Sequence, residues 1–124
     1  MQVLEAIVCR RSIREFLDRP VPDSAVEALI EAVRWSPSAG NLQSRKFYFV
    51  RDRETKRKLA FAALGQRFVE NAPLTVVACL DRHISVRYGD RGVHLYAIQD
   101  AAAATMNLML AALEQGLGTC WVGA

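Results

Sequence analysis

Apolar residues recur along this chain at helical spacing. Val26, Leu29, Ile30 and Val33 fall at i, i+3, i+4 and i+7, which lines one face of an amphipathic helix. Ser24 and, three residues on, Glu27 have the form of a capping box at its start. Pro37 ends it, because the residue before a proline is pushed out of the helical region. Val3, Leu4, Ile7 and Val8 predict an earlier helix over residues 2–9, with basic charge at its end where the helix dipole favours it. Between the two, Pro20 and Pro22 break the chain.

The aromatic and β-branched content of residues 47–50 predicts a strand, and helical spacing resumes over residues 53–64 through Leu59, Ala63 and Leu64. After Asn71-Ala72-Pro73, residues 74–80 are almost wholly apolar, as expected of a central strand covered on both faces. Residues 82–92 are polar and contain glycine, which predicts a mobile surface loop. A helix of ~22 residues, ~33 Å long, follows over residues 94–115. Its alanines and its Ile98, Met106, Leu108, Met109, Leu110 and Leu113 spread around the circumference, so it is expected to be buried, within the domain or between two copies. Gly116 stops it, and residues 117–124 read as a third strand cut short, in a chain truncated at its C-terminus.

The chain has 124 residues, 52% of them hydrophobic, enough for one domain with a core over residues 1–124, and not a disordered segment. No apolar run reaches the ~18 residues of a membrane span, and the N-terminus has no secretory signal pattern; the expectation is a cytoplasmic protein without a membrane partner. Cys9, Cys79 and Cys120 are far apart and sit among apolar neighbours, as buried free thiols would. The net charge of +3 is modest. Arg51, Arg53, Lys56, Arg57 and Lys58 are mixed with Asp52 and Glu54 as on a solvated helix face, without the aromatic interleaving of a nucleic-acid binder.

Side-chain catalysis is poorly provided for. His83 and His94 stand alone, no hydrolase or phosphate-loop motif occurs, and no cluster has metal-ligand spacing, so any chemistry is expected to come from a bound cofactor. Arg10-Arg11-Ser12-Ile13-Arg14 is different: guanidinium forks around a hydroxyl suit a phosphate, and equally suit a basic cluster capping a helix C-terminus. The segment 36–43 is dense in small and amide side chains, which can form an ordinary turn or satisfy a polar ligand edge.

These segments carry a resemblance. Arg10 to Phe16, Pro20-Val21-Pro22 and Ala32 to Gln43 resemble the opening half of the nitroreductase-like FMN-dependent flavoproteins. Ala72-Pro73 before an apolar strand, Ile98-Gln99-Asp100-Ala101 entering a long helix, and Gly116 to Gly123 are similar to the later part of that pattern, in order. The resemblance implies an α+β fold with a central, mainly antiparallel sheet flanked by helices, and a long buried helix at the interface of a homodimer. It implies FMN at that interface, NADH or NADPH as donor, and a small-molecule acceptor, such as a nitro compound or quinone, reduced by ping-pong hydride transfer.

Residue by residue, Arg10, Ser12 and Arg14 match the segment that holds the flavin's phosphate and ribityl chain. Pro37, Ser38, Asn41 and Gln43 match the loop that meets the flavin, commonly from the partner subunit. Val122 and Gly123 match the stretch whose backbone approaches the reactive ring nitrogen, where glycine allows close approach. Ser44-Arg45 stands where the family commonly has Pro-Trp, which bears on local packing and substrate preference. Family members usually continue further, with an arm that wraps the partner and basic residues that complete the phosphate site. Two other readings stay open at this stage: a flavin-binding or dimerisation module without turnover, and a small basic nucleic-acid binder.

Overall fold

A computed structural model describes residues 1–124. Helix α1 (Val3–Cys9) leads into α2 (Asp23–Arg34), a 3-10 turn (Ala39–Asn41) and strand β1 (Arg45–Val50). Helices α3 (Arg53–Ala62) and α4 (Arg67–Asn71) precede strand β2 (Thr75–Leu80). A second 3-10 turn (Arg82–Ile84), helix α5 (Ser85–Arg91), a π-helical turn (Gly92–Tyr96) and helix α6 (Ala97–Glu114) complete the order.

The expected α+β architecture is present, built on a two-stranded antiparallel sheet in which Arg45 pairs with Leu80 and Val50 with Thr75. Alternation puts Phe47 and Phe49 on the face that packs, with Val76, against Leu29 of α2 and Leu108 and Ala112 of α6. Two smaller clusters flank this core: Ala60, Ala63 and Val69 between α3 and α4, and Ile84, Val93 and Ala97 around the start of α6. Asp52 caps α3, its carboxylate accepting the Thr55 N–H at 2.9 Å and the Thr55 hydroxyl at 2.6 Å.

Several expectations are corrected. Helix α2 starts at Asp23, with extended Pro22 as its N-cap, and Ser24 makes no capping bond. The prolines fix the entry backbone two residues earlier than the capping pattern marks. Strand β2 is not covered on both faces: it pairs with β1 alone, and Ala78 and Leu80 are exposed. Residues 82–92 are helical rather than a loop, because Ile84 and Val93 are buried against Ala97 and pull the polar segment into turns. The long helix is accordingly α-helical only from Ala97 to Glu114, preceded by the π turn.

Residues 117–124 form no strand; their single ladder contact is a parallel bridge between Thr119 and Ser12, with the Ile13 N–H donating to the Thr119 carbonyl at 2.9 Å. No neighbouring strand lies beside them to extend the pairing. Lys56 does not belong to a solvated face: it is buried, and its ammonium donates to the Ala72 carbonyl at 2.6 Å, tying α3 to the end of α4. The three cysteines are free but none is buried, Cys9 being exposed at the end of α1.

Burial on α6 is one-sided. Ala97, Asp100, Ala101, Ala104, Leu108, Met109 and Ala112 face the chain's interior, while Ile98 and Met106 face outward. On α1 only Ala6 is buried, and Val3, Leu4, Ile7 and Val8 are all more than half exposed. No helix is long and apolar enough to cross a membrane.

Candidate functional site

The loop between α2 and β1 has an unusual backbone. Gly40, Asn41 and Gln43 all lie in the left-handed region, at φ of 58°, 56° and 52°, a conformation costing a residue with a side chain about 1 kcal/mol or more. At Gly40 a side chain is also excluded by contact, since a Cβ there would sit 2.6 Å from the Tyr88 hydroxyl. Such a backbone persists only where its surroundings fix it.

The fixing comes from three directions. From α6, the Asp100 carboxylate accepts the Ala39 N–H on both oxygens, each at 3.1 Å, and the Ser44 hydroxyl at 3.4 Å. Two turns further along the same helix, the Asn107 amide donates to the Ser36 hydroxyl at 2.8 Å. From β1, Arg45 Nη2 donates to the Val33 and Ser36 carbonyls at 2.8 and 3.2 Å. Within the loop, the Gln43 N–H donates to Ser38 Oγ at 3.0 Å, and the Gln43 amide reaches Asn41 Oδ1 at 3.4 Å. Ala39 and Leu42 pack against the Ile84, Val93 and Ala97 cluster. The polar groups left facing out are those of Asn41 and Gln43, beside exposed Pro37 and half-buried Ser38.

Arg45 is buried, and its Nη1 is the one buried side-chain nitrogen or oxygen without a partner. Burial pushes the Arg45 guanidinium below its ordinary pKa, against the opposing charge of Asp100. No group of three His, Cys, Asp or Glu is placed to hold a metal ion.

The other sequence-singled residues assemble elsewhere. Arg10, Ser12 and Ile13 run beside residues 117–119, and Gly118 is there because a Cβ would lie 3.0 Å from the Ile13 side chain. A small cavity of about 130 Å³ opens among Arg10, Ile13, Leu113 and Thr119. Arg11 is spent on structure, its Nη1 donating to the Val8 carbonyl at 2.8 Å at the end of α1. Arg10 and Arg14 have no carboxylate partner, and neither they nor the Ser12 hydroxyl donates to the protein; Arg14 lies 6.0 Å over the Phe68 ring. Val122 packs against the Ala60, Ala63 and Val69 cluster, and open space surrounds Gly123.

Unclaimed guanidinium and hydroxyl donors on one strip fit an anion such as a phosphate, and the outward amides of the loop fit a ligand edge that carries both donors and acceptors. The two groups are not together within one chain. The Ala39 amide is anchored at Asp100 and Arg10 lies by Leu113, thirteen residues further along α6, which is about 20 Å along the helix axis.

The nitroreductase family model matches residues 7–84 and 60–124, and the chain belongs to the nitroreductase family. Over 122 residues it is 38% identical to an Archaeoglobus fulgidus relative whose name includes NADH dehydrogenase/NAD(P)H nitroreductase, covering 98% of this chain and 67% of that one. It is 31% identical over 136 residues to an FMN reductase [NAD(P)H] of Bacillus subtilis, covering 99% of this chain and 54% of that one. Among solved structures, the NADPH:FMN oxidoreductase of Vibrio harveyi complexed with NAD+ superposes with a TM-score of 0.86 at 31% identity, covering 97% of this chain and 55% of that one. The chain thus spans about half to two thirds of the length of the curated relatives it matches.

Sequence reasoning missed the groups that hold the loop: Asp100, Asn107, Ser44 and Arg45. One signal was available. Asp100 and Asn107 are seven residues apart in an otherwise apolar helix, so they share a face two turns apart, and two polar side chains on a buried face need partners.

Proposed function

We propose that this chain is the FMN-binding part of an NAD(P)H-dependent oxidoreductase that works as a homodimer, reducing small acceptors such as nitro compounds or quinones. The observation that carries it is the division of the site. Arg10 and Ser12 lie toward the C-terminal end of α6, beside Leu113 and Thr119, and the Ser38, Asn41 and Gln43 loop is held near its N-terminal end. A two-fold partner laid along α6 brings the loop of one copy to the basic strip of its neighbour. The outward Ile98 and Met106 of α6 and the apolar face of α1 supply the surface for that partner.

When bound, the flavin would supply the redox chemistry, accepting hydride from a nicotinamide donor and passing electrons to an acceptor. The chain's part is binding and orientation. Arg10 and Arg14 neutralise the phosphate while Ser12 donates to it, and the backbone at Val122 and Gly123 leaves room for close approach of the ring. Ser38, Asn41 and Gln43, with Pro37 beside them, hold the polar ring edge. No side chain is assigned as acid or base, since a reduced acceptor can take its proton from solvent.

The phosphate assignment is tested by Arg10→Ala, which is expected to weaken FMN binding at least tenfold, read by the fluorescence of released FMN. Full flavin occupancy in that variant would overturn the assignment. Substitution of Lys58, exposed on α3, is expected to leave FMN binding unchanged.

A further inference from the structure

Asp100 is a buried carboxylate inside a largely apolar helix, and it makes no ion pair: the three salt bridges join Arg34 to Glu31, Arg51 to Asp23, and Arg57 to Glu54. A buried carboxylate without donors is strongly unfavourable, so its donors define what it is for. All of them belong to the polar loop. The Ala39 N–H bridges both carboxylate oxygens, and the Ser44 hydroxyl closes the loop's exit. Arg45 balances the charge from nearby without bonding to it, its Nη2 being committed to the Val33 and Ser36 carbonyls at the loop's entrance.

The anchored amide sits between Ser38 and the left-handed pair Gly40 and Asn41. Of the contacts that fix the loop, this backbone N–H held from α6 is the one placed between Ser38 and Asn41. Relaxing Gly40 or Asn41 toward commoner backbone angles would turn the Ala39 N–H away and leave the carboxylate with the longer Ser44 contact as its one remaining hydrogen bond.

We propose that Asp100 is the positioning residue of this loop, fixing through the Ala39 amide the orientation in which Ser38, Asn41 and Gln43 meet the flavin, without itself touching the ligand. This rests on the FMN reading above. It makes two observables move together: the order of residues 38–43 in the protein without flavin, and the tightness of FMN binding.

The test combines hydrogen exchange on the flavin-free protein with FMN dissociation constants from fluorescence. In the wild type, the Ala39 amide is expected to be strongly protected although it lies in a short turn. Asp100→Asn keeps one acceptor oxygen and is expected to speed exchange at residues 39–43 about tenfold, and to weaken FMN binding by a similar factor, with α6 amides unchanged. Asp100→Ala is expected to move both further, so that the asparagine variant is a partial rescue. An unprotected Ala39 amide in the wild type would overturn the proposal, whether or not the variants fold. So would folded variants with loop exchange and FMN affinity within twofold of wild type, or faster loop exchange at unchanged affinity. Failure of the wild type to bind FMN overturns the flavin reading instead, and is recognisable because the exchange pattern is measured without FMN.

Discussion

At Gly40 two constraints coincide, a left-handed backbone and a hydroxyl where a side chain would go. Gly40→Ala is expected to cost about 2 kcal/mol in denaturant unfolding. Adding Tyr88→Phe removes the clashing oxygen and should recover about half of that loss, leaving the backbone term. At Lys56, substitution by alanine leaves the Ala72 carbonyl without its donor and a gap where the stem packed. The expected loss is about 2 kcal/mol, with FMN affinity unchanged. Asp52 gives a pH signature. The Thr55 hydroxyl and N–H donating to it hold its carboxyl below the ordinary carboxylate range. With the folded value below the unfolded one, the unfolded chain binds more protons in acid, so the stabilisation is complete above about pH 4 and lost as the pH falls through the folded value. The Tm gap between wild type and Asp52→Ala is therefore expected to be widest near neutrality and to narrow on acidification.

The same scale shows what the sequence could reveal. Ser38 and Asn41 stand out as polar side chains in a small-residue loop, and Asn tolerates the left-handed region. The positive φ of Gln43 and the burial of Lys56 were not legible, because both are imposed by partners distant in sequence or by the closing of the α3–α4 pair.

Among elements, the periodic ones were the most legible: α1, α2 and α3 follow their apolar spacing to within a few residues. Residues 82–92 and 117–124 were misread for opposite reasons. In the first, two buried apolar residues, Ile84 and Val93, outweigh a polar composition; in the second, strand-like composition finds no strand to pair with. Apolar faces that nothing in the chain covers carry the element-scale prediction. Val3, Leu4, Ile7 and Val8 share the exposed side of α1, and an exposed apolar stripe on a short helix marks a contact surface. Leu4→Glu is expected to shift the protein from dimer to monomer in sedimentation and to lower FMN occupancy with it. An unchanged dimer would remove α1 from the interface.

For the whole molecule, only 22 of 124 residues are buried, while Trp35, Phe61, Leu64 and Val86 are each at least 80% exposed. The resemblance in the sequence named the family, but not that the basic strip and the polar loop lie apart along α6. That separation is a property of the folded helix, and under the proposed function it is the reason for a partner copy to complete the site. The most direct measurement is the visible absorption spectrum of the purified protein, before and after NADH or NADPH is added without oxygen. A yellow protein bleached by either nucleotide is the expected result. A protein that stays colourless after loading with FMN would contradict the account, and a yellow one that neither nucleotide bleaches would reduce it to flavin binding without turnover.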